Sequence, residues 1–283
     1  GISIDEEFHR SVGFYWLSHL LNYTPFEDLN SLVNTKIDEI SGFTLPDAKT
    51  NSFYGVIFDL PIAFFEVIFK IDDPQTYFYL RHLLTFILFF VSSIFFYKLL
   101  LNRFSNYYIA LVGTLFFILS PRIYGSSFFN NKDLVFLSLV TIALFYCFKT
   151  LEKNSYKNLL YFSFFAAICT ASRILGIFLP ISFIIFSFFI LLSDKKNNND
   201  IAYIVFFIIT FYFFLIIFWP SLWGNPFENL ILAFKYFSYM EGWSIKVFFD
   251  GQFTHTNFLP YNYTLTWILI TTPILYIILF FFG

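Results

Sequence analysis

Charged residues are scarce in this chain of 283 residues: Asp, Glu, Lys and Arg make up 13% of it, against about 25% in soluble domains. Hydrophobic residues make up 58%, and 47 residues are Phe. A soluble domain of this length needs more polar side chains to cover its surface. The composition therefore excludes a soluble enzyme and indicates that lipid surrounds most of the chain. The net charge of -2, with no cluster of Lys and Arg, also argues against a nucleic-acid binder.

Several sequence motifs of catalytic, metal-binding and redox sites are also missing. The two cysteines, Cys147 and Cys169, both lie in apolar runs, so they predict neither a disulfide framework nor a redox site. There is no glycine-rich phosphate loop, no Cys/His pattern for zinc and no nucleophile elbow. The four histidines show no paired metal spacing, and a structural role is the more frequent one for such residues. Any chemistry therefore has to come from other side chains.

Long apolar runs predict an all-α, polytopic membrane bundle of about seven spans. Some of these runs contain only 15 to 17 residues, roughly 23 to 26 Å of helix against a hydrocarbon core of about 30 Å. A thinned membrane, or helices that stop short at a cavity, would accommodate them. The predicted spans are 82–101, 107–121, 134–149, 157–171, 174–193, 201–219 and 263–282.

The distribution of Lys and Arg predicts the orientation, because short cytoplasmic loops retain these residues. The turns at 98–106, 149–157 and 194–200 carry seven of them, whereas the opposite short turns carry three. We therefore place the first set inside and the second set outside, in a periplasm or lumen. The distribution of Asp and Glu also indicates a distinct outer segment, since residues 1–81 contain 12 of the 19 acidic residues.

This orientation divides the chain into four parts. Residues 1–81 form a first outer loop with amphipathic and juxtamembrane helices, and residues 82–219 form six spans joined by short loops. Residues 220–262 form an outer loop with an interfacial helix and a hairpin turn at Asp250-Gly251, and residues 263–283 form a last span. No initiator Met, signal peptide or span precedes the outer segment, so we expect the chain to be a fragment of a longer protein.

The first candidate site is acidic. Asp5 and Glu6, followed by Glu7, begin an outer helix, where they could face a lipid-linked donor. The alternative is a helix start in which Asp5 is the N-cap and Glu6 pairs with Arg10 one turn later. The pattern alone leaves both interpretations open.

The second candidate site is basic. Arg122, Lys132 and Arg173 occupy the short outer turns, where they could clamp a phosphate. The alternative is structural: Asp133 caps the helix that follows it, Arg122 extends to the lipid headgroups, and Arg173 anchors its hairpin. Asp133 and His255 are supporting candidates.

These features together resemble the GT-C superfamily of membrane glycosyltransferases, most nearly the bacterial branch similar to protein O-mannosyltransferases and the lipid A aminoarabinose transferase. The resemblance implies that the acidic motif supplies the catalytic base, sometimes with a metal, and that Arg81 joins the donor-phosphate site. It rests on Asp5-Glu6, Arg81-His82, Ser120-Pro121-Arg122, Lys132-Asp133, Arg173, and the stretch from Trp219-Pro220 to Pro260-Tyr261.

The implied function is transfer of a sugar from a polyprenyl-phosphate donor to an acceptor hydroxyl, with inversion, at the periplasmic face of a bacterial inner membrane. The acceptor is a glycan, a lipid or a protein of the cell envelope. A lipid phosphate leaves as an anion and needs no proton, so one base and several cations suffice. A glycoside hydrolase would need a second, facing carboxylate, which the sequence does not indicate. A membrane transporter and a non-catalytic membrane scaffold are the alternatives.

Overall fold

The computed structural model describes residues 6–40, 55–153, 155–192, 200–239 and 245–282. Helices dominate these residues, and short 3-10 turns lie at 174–177, 220–222 and 256–258. The helices are α1 (Glu6–Leu21), α2 (Glu27–Ile40), α3 (Asp59–Ile68), α4 (Pro74–Phe104), α5 (Tyr107–Leu119), α6 (Pro121–Ser126), α7 (Asp133–Glu152), α8 (Tyr156–Ser172), α9 (Phe178–Leu191), α10 (Asp200–Phe218), α11 (Pro226–Tyr239), α12 (Tyr263–Thr271) and α13 (Ile274–Phe282), and the strands are β1 (Lys246–Phe249) and β2 (Gln252–His255).

The predicted all-α membrane bundle is confirmed, with one small hairpin added. Four segments are long and apolar enough to cross a membrane: Pro74–Phe104, Asp133–Glu152, Ile174–Leu191 and Ile201–Phe218. A fifth crossing follows if α12 and α13 form one broken span. The remaining predicted spans coincide with the shorter helices α5, of 13 residues, and α8, of 17 residues. The count of seven stays a prediction.

The last predicted span is not one straight helix. Its two halves, α12 and α13, are bent by 106° at the break between Thr271 and Ile274. Pro273 explains the break, because it lacks an N–H group, and its ring displaces the preceding residue from helical geometry. Thr272 accordingly has an extended conformation, with ψ at 126°.

Capping side chains fix where several helices begin. Asp73 precedes Pro74 at the start of α4, and its carboxylate accepts a hydrogen bond of 2.9 Å from the Thr76 amide. This start lies eight residues before the predicted span at 82–101, so about two turns of α4 precede that span. Asn106 caps α5 in the same way, by accepting from the amides of Tyr108 and Ile109.

Three apolar cores hold the helices together; Val12, Trp16 and Val56 form the least extensive of them, and the other two contain most of the buried apolar residues. The larger core is formed by α7, α8 and α10, where Phe162 stacks on Phe207 with the ring centroids 5.1 Å apart. The smaller core joins α1, α2 and α3 around Phe14, Val33 and Ala63, all of which are fully buried. Residues 6–40 and 55–68 therefore have apolar cores of their own, and Ile57 and Phe58 also pack against the larger core.

The hairpin predicted at Asp250-Gly251 is confirmed. Strands β1 and β2 pair antiparallel, with Lys246 opposite His255 and Phe249 opposite Gln252. Asp250 and Gly251 have φ of 50° and 76°, the left-handed values that a two-residue turn of this kind requires.

Candidate active site at the charged end of the bundle

Residues 6–40 and 55–68 lie directly on one end of the bundle. The amide of Gly55 donates a hydrogen bond of 2.6 Å to the carbonyl of Ala171, in the last turn of α8. A β-carbon on Gly55 would lie 2.7 Å from Ala171 atoms, so this close approach requires glycine. The start of α7, the end of α8 and the first two turns of α4 meet α1 and α3 here, and we term this region the charged end.

A buried ionic network joins α1 and α3 to α4. The Arg81 guanidinium is fully buried; its Nη1 lies 2.9 Å from Asp59 Oδ1 and its Nε lies 3.2 Å from Glu66 Oε1. Arg10 Nε lies 2.8 Å from Glu66 Oε2, and its guanidinium carbon is 3.7 Å from the centroid of the Tyr77 ring. Arg81 thus binds two carboxylates of the protein itself. Its predicted role in holding a donor phosphate stays a prediction that none of these contacts supports.

The acidic motif is placed in part. Glu6 is fully buried at the start of α1, and its Oε1 lies 2.9 Å from Nε2 of His82 on α4. Glu7 is exposed, as expected for a neighbour turned by about 100° on the helix. The alternative pairing of Glu6 with Arg10 is not observed, since Arg10 pairs with Glu66. Asp5 lies outside the described residues.

A small polar recess opens beside this network. It has a volume of about 20 Å³. Its polar lining comes from α1, α3, the turn before α7 and the end of α8, and consists of His9, Asp59, Asn131, Lys132 and Ser172. His9 Nδ1 lies 3.6 Å from Asp59 Oδ2.

Burial governs the protonation of the two titratable groups in this recess. Burial, and then the positive charges of Lys132, Arg81 and Arg173, lower the pKa of His9 from 6.5 to about 3. Burial raises the pKa of Asp59 from 3.8 to about 6, although Arg81 and Lys132 oppose the rise. At neutral pH the imidazole is therefore uncharged, whereas the carboxyl group is mostly ionised.

The predicted basic residues divide into two groups. Lys132 lines the recess, and both Lys132 and Arg173 are close enough to lower the pKa of His9. Arg173 also forms an ion pair with Asp133, between Nη2 and Oδ1. Arg122, by contrast, is exposed on α6, and His255 is exposed at the end of β2. The structure therefore brings Lys132, Asp133 and Arg173 together.

The alternative in which Asp133 caps the helix that follows it is wrong, because α7 begins at Asp133 and Asn130 accepts the hydrogen bonds at its start. The Asn130 side-chain oxygen accepts from the amides of Lys132 and Asp133, at 3.2 and 2.8 Å. The Asn130 amide donates to Asp133 Oδ2 at 3.1 Å. Asn130 therefore organises the start of α7 and leaves the Asp133 carboxylate available to Arg173.

The sequence did not identify Asp59, Glu66 or Asn131 as residues of the charged end, and it assigned no role there to His9 or His82. A signal existed for Asp59, because an ionisable residue in an otherwise apolar stretch usually has a partner or a function. No comparable signal marked Asn131. A divalent metal also stays a prediction: across the part of the chain that the structure describes, no three or more His, Cys, Asp or Glu residues are grouped so as to hold one.

The chain matches the profile of a known protein family. The profile of the family described as dolichyl-phosphate-mannose-protein mannosyltransferase matches residues 62–223, more than half of the chain. The matched region includes Glu66, Arg81, Lys132 and Arg173, and begins after Asp59. No curated protein and no solved structure matches.

Proposed function

Since this chain belongs to the dolichyl-phosphate-mannose-protein mannosyltransferase family, we propose that it transfers a sugar from a polyprenyl-phosphate donor to an acceptor hydroxyl, with inversion at the anomeric carbon. Family membership and the apolar helices indicate an integral membrane glycosyltransferase of the mannosyltransferase type. The donor, the stereochemistry and the periplasmic location of the site are parts of the proposal.

The observation that carries the proposal is the meeting of acids and bases at one end of the apolar helices. Glu6 and Asp59 come from the first outer segment, whereas Lys132 and Arg173 flank α7 and α8. A donor with a polyprenyl tail can lie among those helices while its phosphate reaches the charged end. The seven-to-three distribution of bases in the short turns supports placing this end outside the membrane.

The chemistry assigns a role to each group. Lys132 and Arg173, with Arg122 and Arg81 as further candidates, stabilise the departing lipid phosphate, which leaves with the electrons of the glycosidic bond and without a proton. Asp5, next to the buried Glu6, takes the proton of the acceptor hydroxyl as its oxygen attacks the sugar carbon. Asp133 positions Arg173 through their ion pair. Asp5 and Glu6 are also the ligands we propose for any divalent metal.

The proposed test uses the full-length protein, purified and supplied with a synthetic polyprenyl-phosphate mannose and a membrane extract as the source of acceptor. We expect a mannosylated product of inverted configuration. Asp5→Asn keeps the capping ability of the side chain but cannot accept a proton, so turnover should fall by about 10²- to 10⁴-fold while donor binding is retained.

Substitutions of Arg173 test the role of the basic residues. Arg173→Ala should weaken use of the donor, and Arg173→Lys should not restore it, because lysine lacks the bidentate fork. Glu6→Gln is the companion of Asp5→Asn, and a far larger loss in Glu6→Gln would transfer the role of base to Glu6. If vesicles containing the protein take up solute but no mannosylated product forms, the protein is a transporter. If neither transfer nor uptake occurs, the scaffold is the remaining alternative.

A further inference from the structure

The recess beside Asp59 contains a buried hydrogen-bond donor that the fold does not use. Asn131 is 5% exposed, and within the described residues its side-chain nitrogen Nδ2 has no hydrogen-bond partner. A buried amide donor without a partner costs about 1–3 kcal/mol, so such groups are rare unless a ligand or a water molecule satisfies them. Asn131 lines the same recess as Asp59.

The Asp59 carboxylate supplies the matching acceptor. Its Oδ1 is held by Arg81 at 2.9 Å, and its side chain is 12% exposed. Because His9 is uncharged at neutral pH, the charged groups lining the recess are the Asp59 carboxylate and the Lys132 ammonium, which have opposite signs. The recess therefore offers acceptors and donors together.

Size and charge select the kind of group that fits. A volume of about 20 Å³ admits one group of the size of water. Asp59 disfavours an anion, and Lys132 with Arg81 disfavours a cation. A hydroxyl group meets both conditions, since it is neutral, donates one hydrogen bond and accepts others.

We propose that this recess holds one hydroxyl group of the sugar being transferred, with its hydrogen donated to Asp59 and its oxygen accepting from Asn131. The inference rests on the proposed function, and it adds the part of the substrate that the site recognises. Asp59 and Asn131 are then residues that determine specificity for the sugar, next to the bases that hold the phosphate.

The test is a set of donors that each lack one hydroxyl. Synthetic polyprenyl-phosphate mannose and its 2-, 3-, 4- and 6-deoxy analogues are supplied to the full-length protein, and kcat/KM is measured for each. One analogue should be used about 10²-fold less well than mannose, because the missing hydroxyl leaves the buried polar groups of the recess without a partner.

Variants then assign that discrimination to the recess. Asn131→Ala removes a donor that has no partner in the fold, so the protein should fold normally while discrimination against that one analogue falls by about tenfold. Asp59→Asn should reduce the same discrimination, although it also loses the ion pair with Arg81. Asn30→Ala, on α2, is the matched control and should leave the ratio unchanged.

The possible failures are distinguishable. If the protein transfers mannose but uses all four analogues equally well, or if Asn131→Ala discriminates as the wild type does, the recess does not bind a sugar hydroxyl and the proposed function stands. If no transfer occurs even from the complete mannose donor, the proposed function and the inference both fail.

Discussion

Each buried acid at the charged end lies opposite a nitrogen base contributed by another helix. Glu66 holds two arginines, Asp59 holds Arg81 and lies near His9, and Glu6 contacts His82. Removing one member of such a buried pair usually destabilises a protein more strongly than replacing the whole pair, because the remaining charge has no compensation. Glu6 and Asp59, which we place in the site, are thus also residues that hold α1 and α3 on α4.

A pH dependence follows from His9 and Asp59. As the pH falls from 7 to 5, the unfolded chain protonates His9 at its ordinary pKa of 6.5, whereas the folded protein does not, so this residue lowers stability. Over the same range the folded protein protonates Asp59, with a pKa of about 6, whereas the unfolded chain does so only near 3.8; this raises stability. The two effects oppose each other.

In His9→Gln only the effect of Asp59 remains. We therefore expect the thermal midpoint of this variant, measured in detergent, to rise relative to that of the wild type as the pH is lowered from 7 to 5. His19→Gln, on the same helix, serves as the control and should follow the wild type. Parallel curves for His9→Gln and the wild type would show that the imidazole of His9 is not held uncharged.

The contact between Glu6 and His82 predicts a non-additive pair of substitutions. His82→Leu leaves the buried Glu6 carboxylate without this partner and should cost about 1–3 kcal/mol of unfolding free energy. Adding Glu6→Gln removes the buried charge and should recover part of that loss. The measurement is the unfolding free energy of the two single variants and the double variant, and additive losses would contradict the contact.

At the scale of helices, α1 and α3 approach each other at Gly13. A β-carbon on this glycine would lie 2.5 Å from the carbonyl oxygen of Asp59. The substitution Gly13→Ala should therefore separate the two helices and displace Asp59 from Arg81, at a cost of about 1–3 kcal/mol.

The matched control for this substitution is Gly125→Ala on α6, where a β-carbon would meet no atom within 4 Å. Thermal unfolding and transfer activity should both decline in Gly13→Ala and remain near the wild type in Gly125→Ala. An equal response of the two variants would mean that the approach of α1 to α3 is not close.

The helices could be predicted from sequence where contact with lipid requires a long run of apolar residues. Long apolar runs gave α7, α9 and α10 to within a few residues, because a membrane requires about 20 such residues in succession. The first turns of α4 were missed, because residues 74–81 precede the apolar run and carry no comparable pattern. The break at Pro273 was missed for a local reason, since the apolar run continues on both sides of the proline.

The site was less predictable because its contacts join distant parts of the chain. Lys132 and Arg173 could be proposed from sequence as ligands of the same phosphate, since both occupy short turns at the same end of the spans. The apolar surroundings of Asp59 indicate that it has a partner or a function, but they do not place it beside Asn131, because the two residues meet only when α3 rests on the turn before α7. No spacing along the chain encodes that contact.

For the whole molecule, the orientation in the membrane determines where the chemistry takes place. Cysteines placed at Asn30 and Asn257 should react with an impermeant reagent from outside, whereas cysteines at Asn154 and Asn198, which lie outside the described residues, should not. The physical reason is the retention of Lys and Arg on the cytoplasmic side. Labelling of the second pair alone, in intact cells, would place the charged end in the cytoplasm.

The proposed function requires that the donor reach the charged end from within the membrane, attached to a lipid phosphate. The most direct measurement supplies the purified full-length protein and the acceptor extract with one of two donors, polyprenyl-phosphate mannose or GDP-mannose, and follows the release of polyprenyl phosphate or GDP. We predict release of polyprenyl phosphate, slower release in Arg173→Ala, and no release of GDP. Turnover of GDP-mannose, with polyprenyl-phosphate mannose left intact, would contradict the proposed function.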